Sequence, residues 1–143
     1  MPYDLEIIAA PADIDDLGHV SNLVYLRWVQ EVAIAHSSAL GWDGAAYQRL
    51  GASWVVRRHE IDYHRSALPG ERIVEETWVE AMAGARSVRH SRFTREADGA
   101  LLVNVARGSV ATGWLASFVA VAQYTAKIKA SISPGTMPAM NSA

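Results

Sequence analysis

The sequence predicts an α+β fold in which an antiparallel sheet wraps around one long helix, and three observations carry that prediction. Val20–Leu40 reads as a helix in which Leu23, Val24, Leu26, Val29, Val32 and Ala33 occupy most of the circumference. Only a narrow stripe of Arg27, Gln30, Glu31 and Ser38, with Ile34 among them, is left for water. A helix that apolar is enclosed by other structure on most sides. Beyond it come four stretches rich in Val, Ile, Trp, Tyr and Thr, separated by short turn signals. A buried helix followed by a strand meander is the pattern of a sheet curled around a helix.

Taken in order, Tyr3–Ala9 alternates apolar and acidic residues at first, as a short half-buried strand does. Pro11 ends it and leads into an acidic turn, Asp13-Ile14-Asp15-Asp16-Leu17-Gly18. Gly41 stops the long helix, because glycine takes the left-handed conformation at little cost. Trp42–Leu50 suits a second helix, with Asp43 as its N-cap and Gly51 as its stop. Ser53–His64 reads as a strand with Val55, Ile61 and Tyr63 sharing one face. Pro69-Gly70 marks a turn. Arg72–Ala81 is the next strand, closed by Gly84. Arg86–Arg95 follows, alternating Arg and Ser as a strand with one face in solvent would. Asp98-Gly99 signals a type I′ hairpin, which needs positive φ at both central residues. Ala100–Thr112 is the last strand of the meander.

At 143 residues the chain makes one domain, assigned to 1–130, with a disordered tail at 131–143 that lacks periodicity. Half the residues are apolar and 20% are charged, the composition of an ordinary globular protein. A net charge of −2 offers no basic face for nucleic acid. With no cysteine, thiolate metal sites and cysteine nucleophiles are excluded. The N-terminus has no signal-peptide pattern, and the longest apolar run, Val110–Ala122, is too short to span a bilayer. A cytoplasmic location without a membrane span is the expectation.

Several motifs fail on geometry. The acidic turn mimics a calcium loop until its fifth and twelfth positions, where Leu17 and Val24 cannot ligate. His59-Glu60-Ile61-Asp62-Tyr63-His64 has one residue too many for a zinc-protease motif, and on a strand its two histidines point to opposite faces. No metal or cofactor is expected. Neither a G-x-S-x-G elbow nor a Gly-rich nucleotide loop is present. Trp28, Trp54, Trp78 and Trp114 read as packing residues. His36 and His90 read as partly exposed.

What remains is the cluster at the start of the long helix. Asp15, Gly18, His19 and Asn22 gather where the unpaired N–H groups and the positive dipole end point. The plain alternative for any one of these acids is that it only complements the helix end.

The segment Asp13–Glu31 resembles the hot-dog-fold acyl-CoA thioesterases of the 4-hydroxybenzoyl-CoA thioesterase type. Asp15, Gly18, His19, Val20, Asn22, Tyr25 and Leu26 match that family's motif, while Ser21 replaces its usual first asparagine. Ile61–Glu71 is similar to the family's strand and turn after the helix. The resemblance implies a hot-dog fold and hydrolysis of an acyl-CoA or acyl-carrier thioester. It implies Asp15 as nucleophile or general base, with His19 and Asn22 orienting the carbonyl, the water or Asp15. It implies Gly18 and Tyr25 in the substrate site, and a homodimer or homotetramer with coenzyme A along the interface. Arg65, Arg86 and Arg89 could meet its phosphates, against a plain reading of each as solvated surface. Glu31, on the polar stripe, reads as solvated. The alternatives are a non-catalytic acyl-CoA-binding module on the same scaffold and a hot-dog hydratase or dehydratase.

Composition breaks near Arg107. All 15 acidic residues and all 11 arginines lie at or before it, and both lysines lie after it. Two readings account for this: an ordinary final strand over Val110–Tyr124 with a loose end, or a shifted reading frame near Arg107.

Overall fold

The computed structural model describes residues 2–113. Strand β1 (Tyr3–Ile8) is followed by a 3-10 turn at Pro11–Asp13, helix α1 (Asn22–Ala39) and helix α2 (Gly44–Leu50). Four strands complete the described chain: β2 (Ala52–Tyr63), β3 (Arg72–Ala83), β4 (Arg86–Arg95) and β5 (Leu101–Gly113). They form one sheet in the order β1-β3-β4-β5-β2, with every neighbouring pair antiparallel. This is the hot-dog fold. The final strand beyond Gly113, the disordered tail and the frame question fall outside the described residues.

Each element has a local cause. Ser21 caps α1 through a hydrogen bond accepted from the Leu23 N–H at 3.4 Å, a long and weak one. Asp43 caps α2, accepting from the Ala46 N–H at 2.8 Å, and Gly51 ends it in the left-handed region. On the outer face, cross-strand pairs bind the sheet: Arg72 to Glu6 at 2.7 Å, Arg92 to Glu76, and His90 to Glu80; Arg95, on the parity of Phe93, pairs with Glu71 at 2.7 Å.

The inner face is set by register. Glu75, Phe93, Val103 and Tyr63 lie side by side across β3, β4, β5 and β2. The next row is Thr77, Ser91, Val105 and Ile61, and the one beyond it is Val79, Arg89, Arg107 and His59. Under the N-terminal half of α1 the core is continuous and dry. Val24, Tyr25, Trp28 and Val29 from α1 pack with Ile73, Phe93, Leu102, Val103 and Val105, all nearly inaccessible. Tyr25 meets Phe93 edge-on at 5.2 Å and Trp28 at 5.3 Å between centroids, a geometry that adds about 0.5–1.5 kcal/mol per pair.

Four sequence expectations change. Val55 does not share a face with Ile61 and Tyr63, because the register slips between Val56 and Arg58 and Arg57 is an extra residue. That bulge reverses the parity, so Trp54 and Val56 turn inward and Val55 is exposed. Leu23, expected on the enclosed face of α1, is 75% exposed and widens the open stripe on which Ile34 was placed. The β4–β5 turn is not type I′. Only Gly99 has positive φ (68°), and Asp98 instead anchors the turn through its carboxylate, accepting from the Ala100 N–H and from Arg95. His36, expected partly exposed, is buried, stacked on Tyr3 at 5.2 Å.

Candidate active site

The segment before α1 is a small structure of its own. The Ile14–Val20 bridge closes it, with the Asp15 N–H donating to His19 O at 2.8 Å and the Gly18 N–H to Asp15 O at 3.0 Å. Gly18 takes φ +77°, which a side chain there would resist. Asp15 Oδ1 accepts from the Leu17 N–H at 2.9 Å and the His19 N–H at 3.3 Å. An aspartate bonding its own backbone two residues on is the usual way such a turn is fixed. Among the described residues Oδ2 of Asp15 has no hydrogen-bond partner, and the residue is exposed.

Two further ties hold this loop to the body. The Val20 N–H donates to Ala67 O at 2.9 Å, and the Ser21 N–H to Asp13 O at 2.9 Å. Asp13 is buried and accepts from the Ala10 N–H at 2.9 Å and from Arg27 at 2.7 Å. The Arg27 hydrogen bond holds its carboxyl below the usual range against the opposing effect of burial. Asp13 is therefore the structural acid of the turn, and Asp15 and Asp16 are presented to solvent.

Asn22 is the first residue of α1 and is exposed. Its carbonyl accepts from the Tyr63 hydroxyl at 3.1 Å, which pins the helix start to the end of β2. Its N–H is one of the donors that a helix leaves without an intrahelical partner. Tyr25 lies one turn further on and is 2% exposed. Among the described residues its hydroxyl makes no hydrogen bond of ordinary geometry, and burial raises its pKa while the nearby Ala67 backbone opposes this.

The fold thus brings together Asp15, Gly18, His19 and Asn22, with Tyr25 in the core behind them. It does not bring Arg86 or Arg89 to them, whereas Arg65 lies between Tyr63 and Ala67, which bond the Asn22 carbonyl and the Val20 N–H. Arg65 is exposed, its N–H bonded to Leu102 O at 3.1 Å. Arg86 is seven residues along β4 from Phe93, which packs against Tyr25 under the helix start, so roughly 23 Å separate it from that row. Arg89 corrects the solvated-surface reading. It is 6% exposed and donates to His36 Nδ1 at 2.9 Å and to Thr77 Oγ1 at 3.1 Å. Burial, and then the Arg89 charge, lower the His36 pKa to about 4, so its ring is neutral and accepts.

Sequence reading missed a hollow on the inner face of the sheet. Between the C-terminal half of α1, α2 and the sheet lies a cavity of about 320 Å³, whose wall includes Trp42, Tyr47, Trp54, Arg89, Arg107 and Ser109. It also missed Glu75, fully buried, whose two carboxyl oxygens have no hydrogen-bond partner among the described residues. The signal was present: Glu75 and Thr77 share the parity of Ile73 and Val79. Among the described residues no three His, Asp or Glu side chains are grouped to hold a metal ion. No helix there is long and apolar enough to cross a membrane.

The architecture is that of a hot-dog protein with an acidic turn at the foot of its central helix. Residues 9–117 match the thioesterase-like superfamily, and the chain belongs to it. No curated protein matches the sequence. A DHNA-CoA thioesterase from Staphylococcus aureus superposes with TM-score 0.79 and 22% identity, over 90% of this chain and 91% of that one. A 1,4-dihydroxy-2-naphthoyl-CoA thioesterase from Synechocystis gives 0.73 and 17%, over 79% and 83%. A Staphylococcus aureus protein in complex with CoA gives 0.81 and 14%, over 97% and 90%. At these identities the likeness is one of fold.

Proposed function

We propose that the protein hydrolyses an acyl thioester of coenzyme A or of an acyl carrier, in the manner of the 4-hydroxybenzoyl-CoA thioesterase type. One observation carries this reading: a turn holds Asp15 by one carboxylate oxygen, and among the described residues neither its other oxygen nor the Asn22 N–H at the foot of α1 has a hydrogen-bond partner. In the general-base form, Asp15 takes a proton from water as the water oxygen attacks the thioester carbon. The Asn22 N–H and the helix dipole stabilise the oxyanion, an effect of about 3–4 kcal/mol per donor. The C–S bond then breaks, and the leaving thiolate takes the proton back from Asp15. In the nucleophile form, Asp15 attacks the carbon itself, the C–S bond breaks with release of the thiolate, and water cleaves the resulting anhydride to the free acid and the Asp15 carboxylate. His19 and Asn22 orient the reacting groups, and Gly18 and Tyr25 shape the turn and the floor beneath them.

The test is Asp15→Asn. The amide oxygen still accepts from the Leu17 and His19 N–H groups, so the turn and the melting temperature are retained. Turnover of acyl-CoA substrates falls at least about a hundredfold, the scale of a positioned acid–base group. Wild-type turnover by the variant would rule Asp15 out. Failure of the wild type on short, long and aromatic acyl-CoA alike would favour a binding module.

The working unit in this reading is a homodimer, or a pair of homodimers. Strand β2 lies at one border of the described sheet with Val55 and Tyr63 exposed, and α1 exposes Leu23 and Ile34. Open edges and apolar side chains of this kind are ordinarily covered. An active monomer by analytical ultracentrifugation at micromolar concentration would overturn it.

A further inference from the structure

A helix starts with four N–H groups that have no partner a full turn back. At the start of α1 three of the four find other acceptors. The Ser21 N–H donates to Asp13 O at 2.9 Å, the Leu23 N–H to Ser21 Oγ at 3.4 Å, and the Val24 N–H to Ser21 O at 3.0 Å. Among the described residues, the Asn22 N–H is the one of the four with no acceptor. A lone donor stabilises developing charge only if its orientation is fixed before the reaction. The question is what fixes Asn22.

The cap does not. Its bond is long and goes to Leu23. The side chain that reaches Asn22 is Tyr63, 41 positions away, whose hydroxyl donates to the Asn22 carbonyl at 3.1 Å. A carbonyl has two lone pairs, so this bond adds to the helix's own ladder and leaves the Asn22 N–H uncovered.

Tyr63 is itself firmly placed. It ends β2, pairs with Val103 on β5, and meets the buried Tyr25 ring edge-on at 5.9 Å. The residues after it are tied to the sheet as well. The His64 and Arg65 N–H groups donate to Leu102 O at 2.8 and 3.1 Å, and Arg95 donates to Ser66 O at 3.3 Å and to Glu71 at 2.7 Å. Burial raises the Tyr63 pKa above its ordinary value of 10, so at neutral pH the hydroxyl keeps its proton and remains a donor.

We propose that Tyr63 is a positioning residue for thioester hydrolysis, its hydroxyl holding Asn22 so that the N–H of that residue faces the forming oxyanion. This rests on the hydrolase reading and adds to it a residue from the border strand of the sheet. Tyr63 acts through Asn22 and not on the reacting atoms. A displacement of about 1 Å at such a donor costs up to about a hundredfold in rate.

The experiment compares wild type, Tyr63→Phe and Ser21→Ala as full chains on acetyl-, lauroyl- and benzoyl-CoA, reading kcat and KM on whichever is turned over fastest. Tyr63→Phe keeps the ring against Tyr25 and loses only the hydroxyl. Its kcat is expected to fall about tenfold or more with KM within about twofold, as for a contact that matters in the transition state. Ser21→Ala loosens the same helix start at its cap and is expected to keep kcat within about twofold of wild type. In nuclear magnetic resonance spectra of the free protein, the Leu23 amide shares its peptide with the Asn22 carbonyl and is expected to shift in Tyr63→Phe. The Val32 amide, deeper in α1, is expected to stay.

Wild-type kcat in Tyr63→Phe, a change in KM alone, an equal fall in Ser21→Ala, or an unmoved Leu23 amide would each overturn the proposal. Loss of folding in Tyr63→Phe would also overturn it, since the bond would then be structural. In all these cases an active wild type leaves the hydrolase reading standing, to be decided by Asp15→Asn. A wild type that hydrolyses none of the three thioesters sinks both.

Discussion

The two halves of α1 rest on differently built floors. Over the first half, Val24, Tyr25, Trp28 and Val29 meet Ile73, Phe93, Val103 and Val105 in one apolar cluster. Over the second, His36 meets Arg89, Arg89 and Ser91 both donate to Thr77, and Glu75 lies where the two floors join with a cavity beyond. The same helix and the same strands make both. The difference teaches where rigidity is needed: the dry floor anchors the turn that presents Asp15, while polar side chains hold the other end open. Close packing resists displacement, whereas a hydrogen-bonded hollow keeps its shape only through directional contacts.

The comparison breaks most visibly at Phe93. It is fully buried at the centre of the dry floor, touching Tyr25 and Trp28, so Phe93→Ala costs about 3–5 kcal/mol in urea unfolding. A loss of the same size from Ser91→Ala, one row away, would mean that the two floors are energetically alike.

A second test uses pH. Glu75 holds its proton in the folded chain up to about 9 but in the unfolded chain only to its ordinary value of 4.5. Its contribution is complete below pH 4.5 and is lost as pH rises toward 9, by at most about 1.4 kcal/mol per pH unit. His36 acts in the opposite sense. With its value lowered from 6.5 to about 4, its contribution is complete above pH 6.5 and is lost as pH falls toward 4. The two slopes cancel between about 4.5 and 6.5, so wild-type stability declines above pH 6.5. Glu75→Gln removes that decline and uncovers the His36 rise below it. A Glu75→Gln protein with the wild-type pH profile would show that the carboxyl is not held in the polar floor as described.

The smallest effect lies at the helix start. Ser21→Ala removes a 3.4 Å capping bond and costs about 0.5 kcal/mol, the low end for a cap. A loss above about 2 kcal/mol would mean that the cap, rather than the dry floor, holds the Asp15 turn.

Legibility in the sequence followed the range of the forces. Local signals placed the elements closely: Asp43 and Gly51 bound α2, and Arg86–Arg95 is a strand over those same residues. The acidic turn was also legible, since Gly18, Asp15 and Asn22 act within a few residues of one another. Where partners are distant, reading failed. No local feature says that Arg57 is an extra residue in β2, because a bulge is defined against the partner strand. Nor does Arg89 differ in sequence from Arg86 or Arg92. It is buried because β4's inward parity carries it under His36, 53 positions away.

By itself, then, the sequence determined what periodicity and turn chemistry govern: the helix, the strands, the capped turns and the acid set before the helix. Only the tertiary structure decided which of Asp13 and Asp15 is buried and which is presented, since that depends on Arg27 and on the Ala67 carbonyl. It alone decided that Arg89 and Arg107 face each other around a cavity with no acid in its described wall. The reason is physical. Dihedral and capping preferences act over a turn or two, whereas desolvation and charge pairing depend on every element that folds over a side chain.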